Sequence, residues 1–108
     1  MQVITQVSPG ACGLASRIKA SSPDGTRVML EIESDCPHVQ AYAVQVTELN
    51  AFEELLSKPV GQTSPVLLAA EHHLHTTCLL PLAVLKAAEA AAGLALPQSA
   101  FIELERVE

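Results

Sequence analysis

Period-two alternation is clearest at positions 26–34, where Val28, Leu30 and Ile32 share one side and Arg27, Glu31 and Glu33 the other. One apolar and one polar face is the mark of a half-buried antiparallel strand. Positions 14–20 repeat the pattern, with Leu14, Ser16, Ile18 and Ala20 set against Arg17 and Lys19. Between the two lies Ser21-Ser22-Pro23-Asp24-Gly25, in which Pro fixes one dihedral and Asp-Gly supplies the positive-φ positions. The pair therefore predicts a β-hairpin, with Arg17 and Lys19 opposite Glu31 and Glu33. Positions 2–7 alternate more loosely and form a third strand candidate.

After Ser34-Asp35-Cys36-Pro37 the period changes to that of a helix. Ser34 or Asp35 can cap it, and Pro37 suits its first position. Val39, Ala43, Val46, then Leu49 or Phe52, and Leu56 recur at helical spacing, which predicts one long helix reaching about Ser57. Glu48, Glu53 and Glu54 read as its solvated face. Lys58-Pro59-Val60-Gly61 breaks it. Ser64-Pro65 opens a short helix through Ala70, and positions 71–75 are a connection. Thr76 or Thr77 is then expected to cap a helix over about 79–92. Pro81 is tolerated only in a first turn and fixes its start near Cys78 or Leu79, while Gly93 suits its C′ position. Positions 101–107 alternate again and predict a last strand. This order gives an α+β class: a small antiparallel sheet with helices packed on one face, plus an extra C-terminal strand, in a single domain over 1–108.

Composition narrows the function classes. Of the 108 residues 49% are hydrophobic, enough for one packed core, and the net charge is −6 with 3% aromatics. An acidic chain with no basic run and few stacking groups argues against nucleic acid and anionic membranes. The longest apolar run, 78–96, is interrupted by Pro81, Lys86 and Glu89, short of the roughly 20 uncharged residues of a membrane span. With no basic segment leading into an apolar one at the N-terminus, a cytoplasmic protein is expected. There is no Ser/His/Asp order, phosphate loop or dinucleotide glycine pattern, so a binding protein is expected over an enzyme.

The candidate chemistry lies in three cysteines, Cys12, Cys36 and Cys78, each at the edge of a predicted element. A hairpin sets the start of its first strand beside the end of its second, which brings Cys12 and Cys36 to one edge of the sheet. Cys36 and Cys78 each open a helix, and the free N–H groups there favour a thiolate, lowering a cysteine pKa from about 8.5 to roughly 3.5–7.5. A lone cysteine is most often an inert buried residue. Three at element edges, an odd number with no export signal, point instead to thiols or metal ligands. A four-coordinate site needs one more donor. His75, three residues before Cys78, is the preferred one. His38, on a first helical turn, is expected to face away, His72 and His73 to be solvent-facing loop residues, and Asp35 to cap.

The order Ala11-Cys12-Gly13, hairpin, Cys36 leading a helix with Thr47-Glu48, and Cys78 leading Leu82-Ala83 and Lys86-Ala87-Ala88 resembles the iron–sulfur cluster assembly scaffolds, the NifU-like and IscU-like family. The resemblance implies a three-stranded antiparallel sheet flanked by helices. It implies that Cys12, Cys36 and Cys78 bind an iron–sulfur cluster or zinc, and it implies a cysteine desulfurase or an iron–sulfur recipient protein as partner. Where the family has Asp after its first Cys-Gly this chain has Leu14, and where it has His before its third cysteine this chain has Thr77, as in a divergent member. Two alternatives stand beside that function: a sulfur acceptor carrying persulfide, and a small interaction domain with a structural zinc site.

Overall fold

The computed structural model describes residues 1–108. It is an α+β domain built on one four-stranded antiparallel sheet. The strands are β1 (Gln2–Val7), β2 (Ser16–Ser21), β3 (Arg27–Ser34) and β4 (Glu48–Asn50), in spatial order β1-β2-β3-β4. The helices α1 (Pro37–Gln45), α2 (Ser64–Glu71) and α3 (Leu80–Ala91) complete it.

The hairpin forms in the predicted register. Ile18 faces Ile32 and Ala20 faces Leu30, while Arg17 and Lys19 stand opposite Glu33 and Glu31. Asp24 closes the turn. Its Oδ1 accepts the N–H groups of Thr26 and Arg27, both at 2.9 Å, and Gly25 takes φ +77°. Those backbone bonds, from Arg27 first and then Thr26, hold the Asp24 carboxyl below its usual pKa.

The buried layer lies between one face of this sheet and the helices. Ile18, Ala20, Val28 and Leu30 meet Tyr42 of α1 and Leu80, Val84, Ala87, Ala88 and Ala91 of α3. The alanines of α3 let its backbone lie close to β1 and β2. Tyr42 ties α1 to α2, its hydroxyl donating to the Pro65 carbonyl at 2.8 Å. Burial raises the pKa of that phenol.

The long helix predicted to run from Cys36 to about Ser57 is not formed. α1 ends at Gln45, Val46 leaves helical geometry, and Glu48–Asn50 becomes β4 on the outer side of β3. The reason is non-local. Without β4 the outer edge of β3 would have no partner, and the Leu30 N–H now donates to Thr47 O at 2.8 Å and Ala51 N–H to Thr26 O at 2.7 Å. Val46, Leu49 and Ala51 are buried by this route. Asn50 Oδ1 then accepts the N–H groups of Phe52 and Glu53 and starts a single π-helical turn over Phe52–Leu56.

Glu54 is a second correction, because it is buried and not on a solvated face. Its carboxylate accepts the Ser64 N–H at 2.6 Å, the Ser64 hydroxyl at 2.9 Å and the Lys58 ammonium at 2.6 Å, so it anchors the start of α2. Burial pushes its pKa up, but these three donors outweigh burial and the net shift is downward.

Two further expectations fail. Neither threonine caps α3, whose N-cap is Leu79 with no side-chain cap; Thr77 bonds to His75 instead. The strand predicted over 101–107 is absent, and that stretch has no regular structure and is exposed. Its alternation is a real strand pattern, but nothing within the chain pairs with it. No helix is long and apolar enough to cross a membrane.

Candidate functional site

The paired ends of β2 and β3 bring two of the three cysteines to the wall of one pocket. Ser16 lies opposite Ser34, and the Ser16 hydroxyl donates to Ser34 Oγ at 2.7 Å. Ser34 Oγ also accepts the Cys36 N–H at 3.1 Å. The hydroxyl that closes this end of the hairpin therefore also fixes the backbone of Cys36, which is the N-cap of α1. Cys12 precedes β2 in a tight turn in which Gly13 N–H donates to Gly10 O at 3.0 Å. It is exposed, while Cys36 and Cys78 are half-buried, and all three thiols are free.

The third cysteine comes from the connection between α2 and α3. Residues 75–78 form a β-turn in which Cys78 N–H donates to His75 O at 3.0 Å, so His75 and Cys78 stand at its two ends. His75 Nδ1 is 3.2 Å from the Thr77 hydroxyl. Just before this turn α2 ends in a Schellman motif. His73 N–H donates to Ala70 O and Leu74 N–H to Ala69 O, with His73 at φ +60°, the chain's one non-glycine residue in the left-handed region.

These segments enclose one pocket of about 270 Å³. Cys12, Cys36, Cys78, His38, His73 and His75 all line it, and Val7, Leu14, Val39, Leu74 and Leu80 are among its apolar walls. The His38 and His73 rings meet edge to face, 6.4 Å between centroids. Cys78 does not have the lowered pKa expected at a helix start. Burial pushes it up, the Leu80 N–H pulls it down, and the neighbouring charges of Cys36 and Cys12 push it up again.

His75 lines the pocket with the three cysteines. His38, expected to face away, lines it too, and so does His73, expected to be a plain loop residue. His72 does not: its Nε2 bonds Gln45 Oε1 at 2.8 Å and its ring stands edge-on to Tyr42. Asp35 neither lines the pocket nor caps α1. The only sequence signal for His73 was a missing one, since no Gly or Asn follows α2 to take its left-handed position.

As a donor set, three soft sulfurs and three imidazoles in an apolar pocket suit zinc or an iron–sulfur cluster. No three His, Cys, Asp or Glu side chains converge closely enough to hold an ion as they stand, so binding requires the donors to draw inward.

Fold and pocket thus define an α+β domain with a cysteine- and histidine-lined cavity at one end of its sheet. The chain belongs to a family of unknown function, DUF6951, whose model matches residues 3–104. No curated protein and no solved structure matches it.

Proposed function

We propose that this protein binds a metal ion or iron–sulfur cluster through Cys12, Cys36 and Cys78, with His75 as the nitrogen donor, in an assembly, carrier or storage role. The observation that carries this reading is the meeting of three cysteines from three separate segments on the wall of one pocket. The bound group would supply the positive charge that lets the three thiols ionise together, against the burial and the neighbouring Cys36 and Cys12 charges that push the Cys78 pKa up. The chain's own contribution is positional. The Ser16–Ser34 hydroxyl pair holds the Cys36 backbone, the 75–78 turn sets His75 beside Cys78, and the apolar walls limit water. In the tautomer whose Nδ1–H donates to the Thr77 hydroxyl, 3.2 Å away, His75 keeps Nε2 as the free lone pair for a metal. A cysteine desulfurase or an iron–sulfur recipient protein would be the partner of such a carrier.

Anaerobic purification with a visible spectrum and metal analysis tests the reading. Bound iron with sulfide and a coloured protein is expected, whereas one zinc per chain would favour a small interaction domain with a structural zinc site. A colourless chain that retains neither and accepts neither on reconstitution would contradict it. A metal-free but reactive thiol would favour the persulfide acceptor.

A further inference from the structure

The chain contains a strand pattern with no partner and a strand edge with no guard. All residues from 96 to 108 are exposed, and among them Phe101, Ile102, Leu104 and Val107 are 84%, 71%, 94% and 90% accessible. Ile102 and Leu104 alternate with Glu103 and Glu105, and positions 98–108 contain neither Gly nor Pro. That is the pattern of a half-buried strand, and burial is what the segment lacks.

β1 offers the complementary half. It is the outer strand of the sheet, and β2 covers only one of its edges. Met1 and Ser22 exchange both backbone hydrogen bonds. Antiparallel alternation then turns the N–H and C=O groups of Gln2, Ile4 and Gln6 away from β2. Natural sheets blunt such an edge with Lys, Pro or a bulge. β1 carries no charge and no Pro, its register is unbroken, and Ile4 is 46% exposed on it.

We infer that residues 101–107 of one chain add as a fifth strand to the β1 edge of a second copy, in a reciprocal exchange. Charge selects this occupant. Beside β1, on the sheet face away from the helices, β2 carries Arg17 and Lys19, and neither is in an ion pair. When Ile102 and Leu104 turn to the helix-covered face, next to the layer of Val3 and Val7, Glu103 and Glu105 fall on the same face as those two cations. The family match points the same way, because its span runs from residue 3 in β1 to residue 104 in the tail, so edge and tail belong to one shared unit. A twofold exchange also leaves no free tail and no free β1 edge, the closure expected of an isologous dimer.

The experiment is the solution mass of the full chain, by sedimentation or light scattering, with hydrogen exchange on the same sample. A mass twice the 11.4 kDa of one chain is expected, with the amides of Gln2, Ile4 and Gln6 protected. Deleting residues 99–108, Leu104→Lys and Ile4→Pro, which removes an edge N–H that β2 does not use, should each give a monomer with an unchanged circular dichroism spectrum. In the deleted chain those amides should exchange freely, and a synthetic peptide of residues 98–108 should protect them again. A monomeric full chain would overturn the inference, including one whose own tail protects β1. A dimer that survives the deletion or Ile4→Pro would overturn it too.

Discussion

Helices α2 and α3 end in the same hydrogen-bonded turn with different residues at its critical position. After α3, Gly93 N–H donates to Ala90 O and Leu94 N–H to Glu89 O, with Gly93 at φ +78°. After α2 the same two bonds form around His73 at φ +60°. Glycine takes this conformation freely, whereas a residue with a Cβ gives up about 1–2 kcal/mol there. Gly93 lines no part of the pocket, while His73 lines it beside His38. The costly residue stands where its side chain meets the candidate chemistry, and a strained conformation at such a place points to function.

The two helices also begin differently, and there the largest effect is expected. α2 is fastened by the buried Glu54, whereas α3 starts at Leu79 with no side-chain cap. Glu54→Ala removes a carboxylate with three donors and leaves the Ser64 N–H without its acceptor. It should cost about 2–3 kcal/mol in chemical denaturation. Because the folded-state pKa of Glu54 is lowered, its contribution is complete above the ordinary carboxylate pKa, about 4.5. It is lost as pH falls through the lower folded value. Acid should therefore lower the hydrogen-exchange protection of α2, relative to the intrinsic rate, before that of α3. Equal loosening of both helices would remove this contrast.

Gly93→Ala comes next, at about 1–2 kcal/mol of destabilisation. Nothing lies within 4 Å of a Cβ built there, so the loss would report backbone strain alone. An unchanged denaturation midpoint would show that the left-handed penalty does not operate in this fold, and the comparison would fail.

His73→Gly carries the smallest effect on stability and the most informative sign. It should raise stability by about 1 kcal/mol, by relief of the same strain, and weaken metal retention less than His75→Ala does. A fall in stability would make His73 a packing residue. Retention unchanged by His73→Gly but reduced by His75→Ala would leave His75 as the nitrogen donor and His73 with no role in binding.

The sequence shows the hairpin plainly, because period two and the Pro-Asp-Gly turn are local signals that agree. α3 is legible for the same reason, with Pro81 and Gly93 marking its ends. Positions 46–56 are not, since Val46 and Leu49 fit a helical stripe, the three residues of β4 are too few to show alternation, and the need of β3 for a partner lies some 20 residues away in the chain. The alternation at 101–107 reads correctly as a strand pattern but cannot tell whether a partner exists within the chain. For the pocket, the hairpin makes the nearness of Cys12 and Cys36 legible. His38 and His73 escape because their positions depend on how α1 and α2 pack together.

The central claim is that Cys12, Cys36 and Cys78 act as one site, and cobalt titration of the reduced protein under anaerobic conditions tests it most directly. A sulfur-to-cobalt charge-transfer band saturating at one ion per chain is predicted. Cys12→Ser, Cys36→Ser and Cys78→Ser should each weaken it strongly, a second such change should add little, and His72→Ala should leave it intact. A band that never forms, or one indifferent to the loss of any single cysteine, would contradict the account.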